Sequence, residues 1–188
     1  MKYQDLPEER KEQIRQKQRE AGLYDDWYEG IYEDAKEIAE EFGLNISDIF
    51  FSGFWSQGDG ACFKGYLRFK ECDESKLPEE IRGIYQTLHE VHGLLKILDS
   101  DNYLFLGVSL GRHYTHEYSM VFEFYDESSE EAEAIVDAHK ESICEALRDY
   151  ARWIYKNLEA EYEYLTSDEY IDEQLHDEEY EDEQEITR

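Results

Sequence analysis

A chain of 188 residues with 48 acidic and only 19 basic side chains has a formal charge of -29, yet 15% of it is aromatic, including 16 Tyr and 9 Phe. Acidic chains that stay disordered are poor in aromatics, so this composition excludes a wholly disordered polymer and predicts one folded core beneath a very negative surface. Such a surface repels nucleic acid and anionic membranes and favours basic proteins, among them those that themselves handle DNA or RNA.

From Leu6 to Glu20 the sequence is a Gln/Arg/Glu-rich helix former with Pro7 near its first turn, where proline is tolerated. Its apolar positions are few, and residues 1–22 carry six basic and five acidic side chains, so an exposed helical arm is expected there. Asp25 and Asp26 then cap a second helix, with Trp27, Tyr28, Ile31, Tyr32, Ala35, Ile38, Ala39 and Phe42 at helical spacing and Gly43 as its left-handed terminator. The opening residues are not those of a signal peptide, and no apolar run reaches the length of a membrane span. Cys62, Cys72 and Cys144 are odd in number and fall in no metal-ligand spacing, so a reduced, cytoplasmic setting is expected.

Residues 46–70 hold the densest run of aromatic and β-branched side chains, interrupted by Gly58-Asp59-Gly60. This predicts a β-hairpin turning on Asp59-Gly60, because an Asp-Gly pair suits the positive φ angles of a type I′ turn. That register sets Phe50 opposite Phe69, Ser52 opposite Leu67, Phe54 opposite Gly65 and Ser56 opposite Phe63 on an apolar face. Phe51, Gly53 and Trp55 then share the other face with Arg68, Tyr66 and Lys64, where rings and cations tolerate exposure and can pair.

Ser75 to Pro78 opens a third helix with Ile81, Ile84, Tyr85, Leu88, Val91, His92, Leu95 and Leu98 on one side. Alternation at Leu104, Leu106, Val108 and Leu110, and again at Tyr118, Met120, Phe122 and Phe124, predicts a second hairpin turning at 112–116. A long helix follows from about Ser129, its stripe running through Ile135, Val136, His139, Ile143, Leu147, Tyr150, Ile154 and Leu158. The order predicts an α+β fold, a roughly four-stranded antiparallel sheet of two hairpins packed with helices and followed by a long C-terminal helix. The expected organisation is an arm over 1–22, one domain over 23–158 and an acidic tail, helical or disordered, over 159–188.

Candidate chemistry is sparse. His89 and His92 stand three apart, not four as in the zincin motif, and His113, His116 and Glu117 lack a further ligand of clear spacing, so neither a metal nor a cofactor is expected. Cys62 beside His113 or His116 suggests a nucleophile pair only on paper, since a reactive thiolate needs an electropositive setting. No catalytic residue is assigned. Charge is the stronger signal: residues 159–188 hold 14 acidic side chains against one Arg. As a helix they would extend about 45 Å with one net charge per roughly 3.5 Å, close to the spacing of about 3.4 Å along one nucleic-acid strand.

The run Phe51 to Phe63, with Trp27-Tyr28-Glu29 upstream and the segment from His113 to Tyr118 downstream, resembles a family of small phage and prophage proteins, uncharacterised or labelled as the antitoxin of a toxin-antitoxin system. The resemblance covers about residues 25–125 and brings no established catalytic residue. It implies a mobile-element context, in which small acidic proteins commonly inhibit host restriction or CRISPR machinery. The expected function is therefore a phage-encoded, non-enzymatic inhibitor in the bacterial cytoplasm. Its expected partner is a basic host nuclease or effector complex, held without direct contact to nucleic acid or membrane, and homodimerisation is left open. Alternatives are an antitoxin neutralising a basic toxin and a small hydrolase built on Asp59, Cys62, His113 and His116. The expected contacts are Trp55, Tyr66 and Arg68 on the hairpin and Tyr162, Tyr170, Glu178, Glu179, Glu181 and Asp182 in the tail.

Overall fold

The structure is a computed structural model that describes residues 1–111, 115–125 and 129–180. The described residues contain five α-helices and one four-stranded sheet: α1 (Glu8–Ala21), α2 (Glu29–Glu41), β1 (Leu44–Phe51), β2 (Ala61–Arg68), α3 (Glu79–Leu98), β3 (Phe105–Leu110), β4 (Met120–Phe124), α4 (Glu130–Leu165) and α5 (Asp168–Leu175). The strands run β1-β2-β3-β4 in an all-antiparallel meander, the expected α+β architecture. The described residues form two compact units, Glu29–Asn157 and a smaller one made of Met1–Tyr28 with residues 158–180. None of the helices among the described residues is long and apolar enough to cross a membrane.

In the larger unit one sheet face is lined by Ile49, Phe63, Leu67, Leu106, Val108 and Met120, all buried, and the core is completed by Ala35 and Ala39 of α2, Ile81, Leu88 and Val91 of α3, and Ile143, Leu147 and Tyr150 of α4. The helical stripes read from the sequence hold for α3 except at its last position, Leu98, which is exposed. Tyr150 donates its hydroxyl to the Ala35 carbonyl at 2.6 Å, so the one polar atom of this deeply buried ring is satisfied, and burial raises its pKa. α2 starts at Glu29, after Trp27 and Tyr28, and ends as expected at Gly43, whose φ is +85°.

The β1-β2 hairpin forms, with a different turn and register. Phe51 pairs with Ala61, Phe50 with Cys62 and Ile49 with Phe63, so Ser52 to Gly60 is a nine-residue loop and Asp59-Gly60 is not a two-residue turn. Neither Gly58 nor Gly60 takes a positive φ. Asp59 instead turns its carboxylate inward to accept from the backbone N–H of Trp55 at 2.8 Å and of Ser56 at 2.7 Å, which selects the wider loop. The register also slips by one residue between Ile46 and Asp48, leaving Ser47 as a bulge. Because strand parity is two, this bulge lets Leu44 and Ile46 on one side of it and Ile49 on the other all face the core. Phe50 therefore points outward, and Phe51 packs edge-on against Tyr32 of α2, the reverse of the expected faces. Gly65 stands opposite the bulge at φ +156°, where a Cβ would lie 1.9 Å from the Asn45 carbonyl oxygen.

In the smaller unit the expected exposed arm is replaced by a packed one. Tyr3, Ile14, Ile171 and Leu175 form a small core with Leu6 and Tyr180 against it. Arg15, almost fully buried, holds both Asp172 oxygens at 2.7 Å and Glu8 at 2.6 Å, and the Tyr3 hydroxyl donates to Asp172 at 2.5 Å. The backbone joins in, since Tyr3 N–H donates to Glu178 O and Tyr180 N–H to Met1 O, both at 2.9 Å.

Candidate interaction surface

The outer face of the sheet alternates out of phase with the core and carries a run of aromatic rings beside Lys64, Arg68, Val121 and Glu123. Phe50 of β1, Tyr66 of β2, Phe105 of β3 and Tyr125 just past β4 lie there with Tyr103; Tyr66 is 47% exposed and Tyr125 49%. The rings form a connected row: Tyr66 meets Phe105 edge-on at 6.3 Å, and Phe105 meets Tyr103 at 6.2 Å and Tyr125 at 5.1 Å. Two cations lie on it, Arg68 over Tyr103 at 4.7 Å and Lys64 over Phe50 at 5.2 Å. The ring-and-cation character expected of Lys64, Tyr66 and Arg68 is thus present, with different partners across the strands.

Trp55 is not part of this face. It stands in the Ser52–Gly60 loop, 82% exposed, near the end of the sheet. The loop is braced from several directions: Ser52 Oγ donates to the Thr115 carbonyl, Tyr155 of α4 donates to the Gly53 carbonyl at 3.0 Å, and Phe54 lies between Phe51 and Tyr155. Beside it Glu117, nearly buried, accepts from Arg152 at 2.9 Å and lies 3.0 Å from His116 Nδ1. The two sequence motifs around residues 51–63 and 115–118 are therefore neighbours in space. Cys62 is buried next to Ser119 and His116, and burial pushes its thiol up. Asp59 is held below the usual carboxylate range by the N–H groups of Ser56 and Trp55 and is fully used in shaping the loop. His113 lies outside the described residues. Among the described residues no group of three or more His, Cys, Asp or Glu could hold a metal ion.

Of the tail residues expected to bind, Tyr162 and Tyr170 come together in the smaller unit around a cavity. Glu178 accepts from the Tyr180 hydroxyl and Glu179 forms a β-bridge with Lys2, so both take part in closing that unit. Glu181 and Asp182 lie outside the described residues. Sequence reasoning missed Phe105, Tyr103 and Tyr125; the signal available was the aromatic residues at two outward positions of the Leu104-to-Leu110 strand, 103 and 105, and the one just after Phe124.

The larger unit also presents ordered carboxylates. Glu29, Glu33, Glu37 and Glu41 recur every fourth residue of α2, and Glu133, Asp137 and Glu141 do so on α4, all exposed, at a rise of roughly 6 Å per step. The unit's ion pairs among described residues run elsewhere, from Lys96 to Glu71 and from Arg148 and Arg152 to Glu117, Glu145 and Asp149. These rows are left as uncompensated negative charge.

Residues 27–168, three-quarters of the chain, match a domain of unknown function, DUF8835, and the chain belongs to that family. No curated protein and no solved structure matches it.

Proposed function

We propose that this DUF8835 protein is a non-enzymatic, phage-encoded inhibitor that docks on a basic, nucleic-acid-handling surface of a host defence protein and occludes it. The observation that carries the reading is the open sheet face, where Tyr66, Phe105, Tyr103 and Tyr125 form a connected aromatic row with Arg68 on a chain whose remaining surface is dominated by carboxylates. Tyr and Arg are the residue types that dominate binding energy at protein interfaces. The uncompensated rows on α2 and α4 add long-range attraction toward a basic partner, which raises the association rate more than the final affinity. Burial of the Cys62 thiol and the commitment of Asp59 to its loop weigh against a hydrolase.

The test is capture from a host lysate by the immobilised wild-type chain and by the Tyr66→Ala/Arg68→Ala double variant, with duplex DNA or RNA as competitor. Retention of a basic protein by the wild type, its loss in the double variant and its displacement by nucleic acid are the expected results. Capture that ignores both the variant and the competitor overturns the occlusion reading. An antitoxin neutralising a basic toxin uses the same carboxylate rows, and is favoured if the captured protein is released by the double variant but not by nucleic acid.

A further inference from the structure

The smaller unit contains a cavity of about 400 Å³, within the size range of small-molecule sites. Tyr24, Trp27, Tyr162 and Tyr170 line it together with Asp25 and Arg19, above an apolar floor. Trp27 and Tyr162 are in contact, ring centroids 5.9 Å apart, and Tyr170 packs against Tyr164 at 5.1 Å, so three of the four aromatic side chains in the wall are held by neighbouring rings. Arg19 does not make the pocket a site for anions. Its guanidinium is already bound to Asp168, to Glu12 at 3.4 Å and to the Thr166 carbonyl at 3.0 Å. Asp25, by contrast, is exposed and has no ion-pair partner among the described residues. The described residues of this unit hold 17 acidic and six basic side chains, a net -11.

Four aromatic residues and one carboxylate line the wall and the surrounding field is negative, so the cavity favours a positive guest over a neutral or anionic one. We propose that it is a binding site for an organic cation, an alkylated ammonium group carried on an apolar body. This goes beyond the docking surface of the larger unit and does not depend on it. Tyr24, Asp25, Arg19 and Tyr170 lie outside the residues that match DUF8835, so the site is assembled largely from segments flanking the family domain.

The test is calorimetric titration of the full chain with benzyltrimethylammonium and with choline, each set against an uncharged control; for choline this is its carbon isostere, neohexyl alcohol. Saturable one-site binding of both cations is expected, with the isostere weaker by about tenfold or more, as desolvated cation-π contacts imply. Tyr24→Ala and Asp25→Asn alter exposed side chains, so the thermal melt should be unchanged while choline affinity falls about tenfold for the first and about threefold for the second. Equal affinity for neohexyl alcohol, or cation binding unaltered in both variants, overturns the proposal, the latter because it marks diffuse attraction to the acidic surface. Absence of saturable binding by either cation overturns it as well.

Discussion

The two faces of the sheet are built from the same four strands, and they differ in what each side chain does. Inward, Phe63, Leu67, Leu106 and Val108 are between 0% and 4% exposed, and Phe63 packs edge-on against Tyr150 of α4. Outward, the intervening positions carry Phe105, partly buried, and Tyr66 and Tyr125, each of which keeps about half of its surface in water. An aliphatic inner residue is explained by burial alone, at about 1.5–3 kcal/mol for each large side chain. Burial explains the outer rings only in part, and a contiguous exposed apolar patch marks a contact surface more often than an accident of composition. Stability and binding should therefore separate cleanly by strand parity.

The largest effect should come from breaking the inner face. Leu106→Ala, at a fully buried position, is expected to cost about 2–5 kcal/mol in urea unfolding, whereas its neighbour Tyr66→Ala, across on the outer face, should cost under about 1 kcal/mol. Similar losses for the two would mean that the outer face is structural.

The smaller unit sharpens the comparison because a polar lock replaces much of the apolar core. Arg15→Ala strands Asp172, whose side chain is 37% exposed, so about 2 kcal/mol is expected rather than the full cost of orphaning a buried charge. The Arg15 hydrogen bonds hold Asp172 below its usual carboxylate range, so the stability it adds is present above about pH 4 and fades as acid protonates the folded state. Tyr3 works at the other end of the scale. Burial first and the bond to Asp172 second push its phenol up to about 12, so its contribution is intact below about pH 10 and is lost as pH rises toward 12. Tyr3→Phe should shrink the alkaline limb of a pH-stability profile, leaving the share of other raised tyrosines, among them Tyr85, Tyr150 and Tyr180, and should weaken the acid limb only in part, because Arg15 is the first cause of the low Asp172 pKa.

A smaller pH effect belongs to the larger unit. His92 is buried and its Nδ1 has no hydrogen-bond partner among the described residues; desolvation first, then Lys96, lowers its pKa, with Glu71 opposing and His89 adding to the shift. The unfolded chain therefore takes up this proton more readily, and stability should decline as pH falls below about 6.5. His92→Leu should flatten the profile between pH 5 and pH 7, as measured by chemical denaturation at each pH; an unchanged slope assigns it to other groups.

Much of this division was legible in the chain. The stripe from Ile81 to Leu95 and the alternation from Leu104 to Leu110 name the inner face, because period and burial coincide there. The β1-β2 turn was not legible, since Asp59-Gly60 reads as a two-residue turn and only the structure reveals the Asp59 carboxylate accepting from Trp55 and Ser56. The Ser47 bulge was hidden for the same reason: one unpaired residue reverses strand parity without any mark in the composition. Nor did a Gln/Arg/Glu-rich helix disclose that Arg15 is buried, because its partner Asp172 lies 157 positions away.

The smallest expected effect concerns the carboxylate rows, and its size is what makes it informative. Glu33 and Glu37 are exposed on α2 without ion-pair partners among the described residues, so Glu33→Gln/Glu37→Gln should leave stability within about 0.5 kcal/mol of wild type. If the rows steer the chain toward a basic partner, the double variant should associate two- to fivefold more slowly, as an order-of-magnitude expectation, with little change in dissociation. That difference should shrink as salt rises past about 0.1 M, where the screening length falls below about 10 Å. Tyr66→Ala should do the reverse, quickening dissociation at every salt concentration. If the glutamine variant instead accelerates dissociation and its effect persists at high salt, the α2 row is itself in the contact, and the division between a steering surface and a binding face does not hold.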